Sequence, residues 1–213
     1  GRSSQFKTFV RQVGKDGRRS ELVIGLLSYS HSGILGDHFL KSALSQLGTD
    51  YIDGLILGYY PKRPPQRVLD WALRVKEEGS VRAVGLTTHN RDMVVPLAEE
   101  GIIDYFHIRY NAVHRGAEND IFPRLHDPKP GIVSFTATSW GQLLNPKKMP
   151  AGMLPLSAGD CYRFALTRDE IDVCMMGVKD LQMFEANMAE LDKGPLGQDD
   201  LERIRTIGDH LYK

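Results

Sequence analysis

Cysteine is scarce: Cys161 and Cys174 stand far apart and in no ligand spacing. A disulfide-framed secreted domain and a thiolate metal site both need more than that. Buried thiols in a reducing cytosol are expected, and with them a cytoplasmic protein. Net charge is absent too, since Lys plus Arg and Asp plus Glu both total 27. Proteins that bind nucleic acids or membrane surfaces usually carry a basic excess, so neither partner is expected. No stretch is apolar for the roughly 18 residues that a helical membrane span requires. No leader pattern is read at the N-terminus. Several chemical signatures are missing as well. Neither GxGxxG nor GxxxxGK[ST] follows the first apolar run. The histidines include no HxH or HExxH, so no metal is expected. No GxSxG surrounds a serine. No carboxylate falls directly at the end of an apolar run, which weakens a paired-carboxylate reading.

What is present is a soluble globular composition, 41% apolar and 25% charged, long enough for one large domain or two small ones. Six short apolar runs recur: 22–27 (LVIGLL), 52–57 (IDGLIL), 81–86 (VRAVGL), 105–108 (YFHI), 132–137 (IVSFTA) and 171–176 (IDVCMM). They are continuous rather than alternating, as strands of a parallel sheet covered on both faces are. Helical patterns lie between them. Before the first run, 5–13 is helix-like. In DHFLKSALSQLG, Asp37 is expected to cap a helix that Gly48 ends. In PPQRVLDWALRVKEEG, Pro64 and Pro65 open a helix whose buried stripe is Val68, Trp71, Ala72 and Val75. Further helices are expected over 91–100, 118–125, 161–166, 181–191 and 199–211, with a long loop over 141–157. This is α/β alternation. Six units fall short of the eight strands and roughly 250 residues of a closed (β/α)8 barrel, so the count alone favours an open sheet slightly.

In either architecture function gathers where strands end. Those positions hold Tyr29 and His31, then Gly58, Tyr59 and Tyr60, then Thr87, Thr88 and His89. Further on come Arg109 and Asn111, then Thr138, Ser139, Trp140 and Gln142, then Gly177 and Lys179. A polar and aromatic rim of this kind suits a small molecule or cofactor.

The stretches LSQLGTDYIDGLILGYYP, VKEEGSVRAVGLTTHN, the Tyr110-Asn111 pair and GPLGQDDLERIRTIGDHL together resemble the aldo/keto reductase family, in order and over nearly the whole chain. The resemblance implies a (β/α)8 TIM-type barrel that binds NADP(H) without a Gly-rich fingerprint, which overrides the strand count. The six runs then match barrel strands three to eight. The first two units would precede Gly1, so 1–213 is expected to be a single barrel domain incomplete at its N-terminus. An oligomer or a partner is expected to cover the open edge.

In the family, the strand before Gly58 ends in a catalytic histidine, and the strand before that ends in a catalytic lysine. Here those positions are Gly58 and about Leu27. Neither residue can polarise a carbonyl or lower the pKa of a tyrosine. Tyr29, Tyr59, Tyr60 and His89 are the replacements the rim offers, with Tyr29, Tyr59 and His89 preferred. For the cofactor, the resemblance implies Thr87, Thr88, His107, Asn111, Trp140, Gly177, Lys179 and Asn187, with Met183 and Ala186 where the family's Arg and Glu would stand. Two functions follow. One is an NADP(H)-dependent oxidoreductase acting on a small carbonyl or alcohol with altered catalytic residues. The other is a catalytically inactive barrel that binds a nucleotide, a metabolite or a protein partner.

Overall fold

A computed structural model describes residues 4–212. The chain falls into two compact units, Gly1–Tyr105 and Phe106–Lys213. The first holds α1 (Ser4–Lys15), β1 (Gly25–Ser28), α2 (Gly33–Leu47), β2 (Ile52–Leu57), α3 (Gln66–Glu77), β3 (Val81–Thr88) and α4 (Val94–Glu99). Its strands lie side by side in chain order and run parallel, with Gly25 opposite Gly54 and Gly54 opposite Ala83. Leu55, Leu57, Val84 and Leu86 are fully buried, as the continuous apolar runs predict.

Two boundaries in this unit differ from expectation. The strand expected over 22–27 begins at Gly25. Side chains hold the chain before it: Arg19 donates to the Leu22 carbonyl at 2.8 Å, and the Asp53 carboxylate accepts from the Ile24 amide at 2.9 Å, while the Ile24 carbonyl accepts from the Asp53 and Gly54 amides. Helix α2 starts a turn earlier than expected, behind Ser32, so Asp37 is not its cap. Asp37 instead accepts from Trp71 Nε1 and from Arg74, both at 2.8 Å. The early start follows from Gly36, where a Cβ would lie 2.6 Å from the Trp71 ring. Glycines that read as helix breakers let α2 press against α3. Gly48 ends α2 at φ +67°, as its position predicts.

The second unit holds most of β4 (Tyr105–Arg109), then α5 (Ala117–Asp120), β5 (Gly131–Phe135), α6 (Ala158–Leu166), β6 (Val173–Cys174), α7 (Leu181–Leu191) and α8 (Gln198–Leu211). β5 and β6 are parallel, with Val133 opposite Val173. β6 is much shorter than the expected 171–176, and Val173 and Met175 stand exposed on a face that the described residues leave uncovered. The expected helix 118–125 breaks at Ile121, which leaves α5 and a 3-10 turn through Pro123. The stretch 141–157 is a loop with two short 3-10 turns, as expected.

α6 starts at Ala158 rather than at Cys161, because Ser157 and Asp160 form a capping box. The Asp160 amide donates to Ser157 Oγ at 2.9 Å, and the Ser157 amide donates to the Asp160 carboxylate at 3.1 Å. Ser157→Ala is expected to cost about 1 kcal/mol, read as a lower urea midpoint at unchanged slope. No helix among the described residues is long and apolar enough to cross a membrane.

Candidate functional site

In the first unit the strand ends bring Tyr59 and His89 together. Their ring centroids lie 5.4 Å apart at 56°. Tyr59 is 45% exposed, so its phenol faces solvent. Tyr60 does not: it is buried, it packs on His31, and its hydroxyl donates to the Ser30 carbonyl at 3.1 Å. Burial raises its pKa, which makes it a poor proton donor. Tyr29 is 66% exposed and lines a groove of about 790 Å³ between α1, β1 and α2, together with Phe6, Leu35 and Phe39.

The Thr88 hydroxyl is committed, donating to the Tyr60 carbonyl at 3.1 Å and accepting from the Asn90 amide at 2.9 Å. Thr87 is half-buried beside Gly58. A Cβ on Gly58 would lie 2.6 Å from Leu27 Cδ1 and 3.0 Å from Thr87 Cγ2. Leu27 therefore fills the space a side chain at Gly58 would need, and the floor between these strand ends is apolar.

In the second unit one pocket of about 260 Å³ collects Gly177, Lys179 and Asn187, three of the expected cofactor residues. Thr136, Thr138 and Tyr162 also line it. Asn187 is only 6% exposed, and its amide nitrogen has no hydrogen-bond partner. The Ser139 hydroxyl is a second buried group without one. Such groups are rare in folded proteins and call for a ligand, a water or an ion. The Gly177 backbone meets the Tyr162 phenol, and a Cβ on Gly177 would touch nothing within 4 Å, so the strand end is open there.

The turn after β5 is strained: Thr136, Ser139 and Trp140 have φ of 58°, 50° and 53°. Non-glycine residues adopt such angles only when their surroundings impose them. Asn111 supplies part of that constraint, donating to the Thr136 carbonyl at 2.8 Å. Its oxygen accepts from the Val113 and His114 amides at 3.0 and 2.9 Å, so this residue braces the turn. Trp140 is 65% exposed, with the Arg109 guanidinium 6.0 Å from its ring centre. His107 is half-buried, and desolvation holds its pKa below the usual value. The thiols offer little reactivity: burial pushes Cys161 up to about 12, and Cys174 is raised as well.

The fold is shared with the aldo-keto reductase AKR11C1 from Bacillus halodurans. Its holo form superposes with a TM-score of 0.79 at 20% identity, covering 95% of this chain and 77% of that one. Its apo form gives 0.77 at 20% identity, covering 95% and 76%. The chain has the aldo-keto reductase fold. The fold class is thus the (β/α)8 type that the resemblance implies, not the open sheet that the count of six slightly favours. No family model matches the sequence. A curated relative, the NADH-specific methylglyoxal reductase of Escherichia coli (strain K12), is 26% identical over 93 residues. That match spans 41% of this chain and only 28% of the relative.

Sequence reasoning missed Thr136 and Tyr162, whereas Thr138 is among the residues expected where a strand ends. Thr136 lies in a run read as strand, and its left-handed backbone is announced by no residue type there.

Proposed function

We propose that this chain is an aldo-keto reductase-like oxidoreductase that binds a nicotinamide dinucleotide and reduces a small carbonyl compound with altered catalytic residues. The observation that carries the reading is the buried, unpartnered Asn187 amide at a mostly apolar pocket on a chain of this fold. An unpaired buried donor costs about 1–3 kcal/mol, which a ligand acceptor recovers. Asn187, Lys179 and Thr138 are the groups that would hold the dinucleotide, with Gly177 leaving room for it. Bound in this way, a reduced nicotinamide supplies a hydride to a carbonyl carbon. The resemblance implies NADP(H), with Lys179 as the cation nearest a 2′-phosphate. A cytoplasmic protein without nucleic-acid or membrane partners belongs to the same reading.

The proton comes from the protein. In the first unit Tyr59, with His89 beside it, is the group that would give a proton to a carbonyl oxygen. General acid catalysis of this kind contributes on the order of 10²–10⁴-fold. Tyr59→Phe is therefore expected to lower kcat for reduction of small aldehydes at least ~100-fold, while dinucleotide affinity stays within about twofold. Unchanged kcat in Tyr59→Phe removes Tyr59 as the acid.

A second reading rests on Leu27 and Gly58, whose packing leaves no side chain able to polarise a carbonyl at the two positions where the family resemblance expects a lysine and a histidine. On that reading the chain binds the dinucleotide without turnover. Saturable binding with no reduction of any small aldehyde, ketone or dicarbonyl selects it.

A further inference from the structure

Two unusual residues of the second unit meet at the end of β4. The first is Arg109, which closes that strand and is partly buried. Every other partly buried arginine described in this unit has an acceptor. Arg115 donates to the Ala112 carbonyl and Arg163 to that of Gly194, while Arg168, Arg203 and Arg205 pair with Glu170, Asp160 and Glu118. Among the described residues Arg109 makes no hydrogen bond or ion pair, and its recorded neighbour is the Trp140 ring, whose centre lies 6.0 Å from the guanidinium carbon. A guanidinium offers five donors and accepts nothing, so partial removal from water leaves those donors open to an anion. The second is Trp140 itself. It is 65% exposed and holds φ at 53°, an angle that a bulky residue rarely adopts. Backbone strain of this kind collects at ligand sites. The turn that carries Trp140 is tied to the strand end by Asn111, whose amide donates to the Thr136 carbonyl at 2.8 Å. The first unit shows how a guanidinium, a ring and a carboxylate combine in this protein. There Arg19 and Arg82 stand 4.2 and 4.1 Å over the Tyr51 ring, and both pair with the Asp53 carboxylate. At Arg109 and Trp140 the described residues supply the guanidinium and the ring but no carboxylate.

We infer that Arg109 and Trp140 form a site for a planar carboxylate, and that the small carbonyl compound this chain prefers carries one, as a 2-oxo acid does. The fork of the guanidinium meets both carboxylate oxygens, and the conjugated plane of a 2-oxo acid lies on the indole face. A neutral aldehyde or ketone leaves the guanidinium unfilled. The substrate assignment rests on the reductase reading above and narrows it.

The test is calorimetric titration of the whole chain with pyruvate and with its uncharged methyl ester, with NAD+ present so that no turnover occurs. It is run on the wild type, Arg109→Gln, Arg109→Lys and Trp140→Ala, each checked by circular dichroism and each titrated separately with NADH. Expected is pyruvate binding about tenfold or more tighter than the ester in the wild type. Arg109→Gln should bring the two within about twofold by weakening pyruvate, and Arg109→Lys should fall between, since it keeps the charge and loses the fork. Trp140→Ala should weaken both compounds several-fold. NADH affinity should stay within about twofold throughout. Equal binding of acid and ester by the wild type, binding of neither, or a ratio that Arg109→Gln leaves unchanged overturns the inference and leaves the reductase reading standing. An Arg109→Gln variant that loses NADH instead of pyruvate sets the guanidinium against the dinucleotide and overturns it as well. A wild type that does not bind NADH overturns the reductase reading, and the substrate assignment with it.

Discussion

Gly208→Ala is expected to destabilise the second unit by about 3 kcal/mol or more, the upper end of what overpacking costs. Gly208 lies buried in α8 at its contact with the chain after β4. An added Cβ would run into the Ala112 carbonyl oxygen, well inside van der Waals contact, and would also crowd Arg115. That obstacle is backbone. It cannot rotate away as a side-chain tip can, so α8 must lift or the turn at 110–114 must move. The turn is not free to move, because Asn111 holds the Val113 and His114 amides and Arg115 donates to the Ala112 carbonyl at 2.7 Å. Gly197→Ala is the control. Gly197 has φ −71°, and a methyl added there would meet nothing within 4 Å, so that change should stay within about 1 kcal/mol. Urea unfolding of the three proteins gives the comparison. A Gly208→Ala midpoint equal to the wild type would mean that α8 does not dock as described.

Glu118→Ala is the second large effect, expected at about 2–4 kcal/mol. The fully buried Tyr110 hydroxyl donates to Glu118 at 2.7 Å, and Arg205 of α8 donates to the same carboxylate at 2.9 and 3.1 Å. Removing the carboxylate strands a buried phenol and leaves a half-exposed guanidinium without its partner. The ring of Tyr110 also stacks on Phe164, with centroids 5.9 Å apart, so it has nowhere to turn for another acceptor.

The same carboxylate makes the effect depend on pH. Burial works against its ionisation, but the hydrogen bonds and charge of Arg205, with the Tyr110 bond, outweigh that and hold its pKa below the usual glutamate value. A depressed folded-state pKa means that the unfolded chain binds the proton more readily. The stabilisation is therefore complete above the unfolded value, about 4.3, and is lost as pH falls through the folded one. The difference in stability between wild type and Glu118→Gln should be constant from pH 7 down to about 5 and should narrow below about 4. A difference that stays flat to pH 3 would contradict the assignment.

The elements most legible in the sequence are those whose local and tertiary signals agree. β2 and α3 show this: their apolar residues bury as the periodicity predicts. α7 also begins and ends where expected, behind the Asp180 cap. α2 starts a turn before its expected place because its two early glycines read as loop, whereas they are sites of close packing on Trp71. β6 is shorter than its apolar run because such a run says nothing about whether a second face will be covered. The site is legible in part. Gly177, Lys179 and Asn187 come from a resemblance and share one pocket. Asn111 and Thr88 come from the same resemblance, yet their polar groups are spent on backbone. Residue identity alone does not tell a bracing asparagine from an unpartnered one, because the difference lies in what surrounds the amide.

The central claim is that the second unit's pocket holds a nicotinamide dinucleotide through Asn187. Its most direct test is a calorimetric titration of NADH into the wild type and into Asn187→Ala, with circular dichroism confirming that both are folded. Expected are saturable binding by the wild type and a loss of about tenfold or more in the variant, roughly 1.4 kcal/mol. A folded wild type that gives no binding heat at millimolar NADH, or an Asn187→Ala variant that binds as tightly, would contradict it.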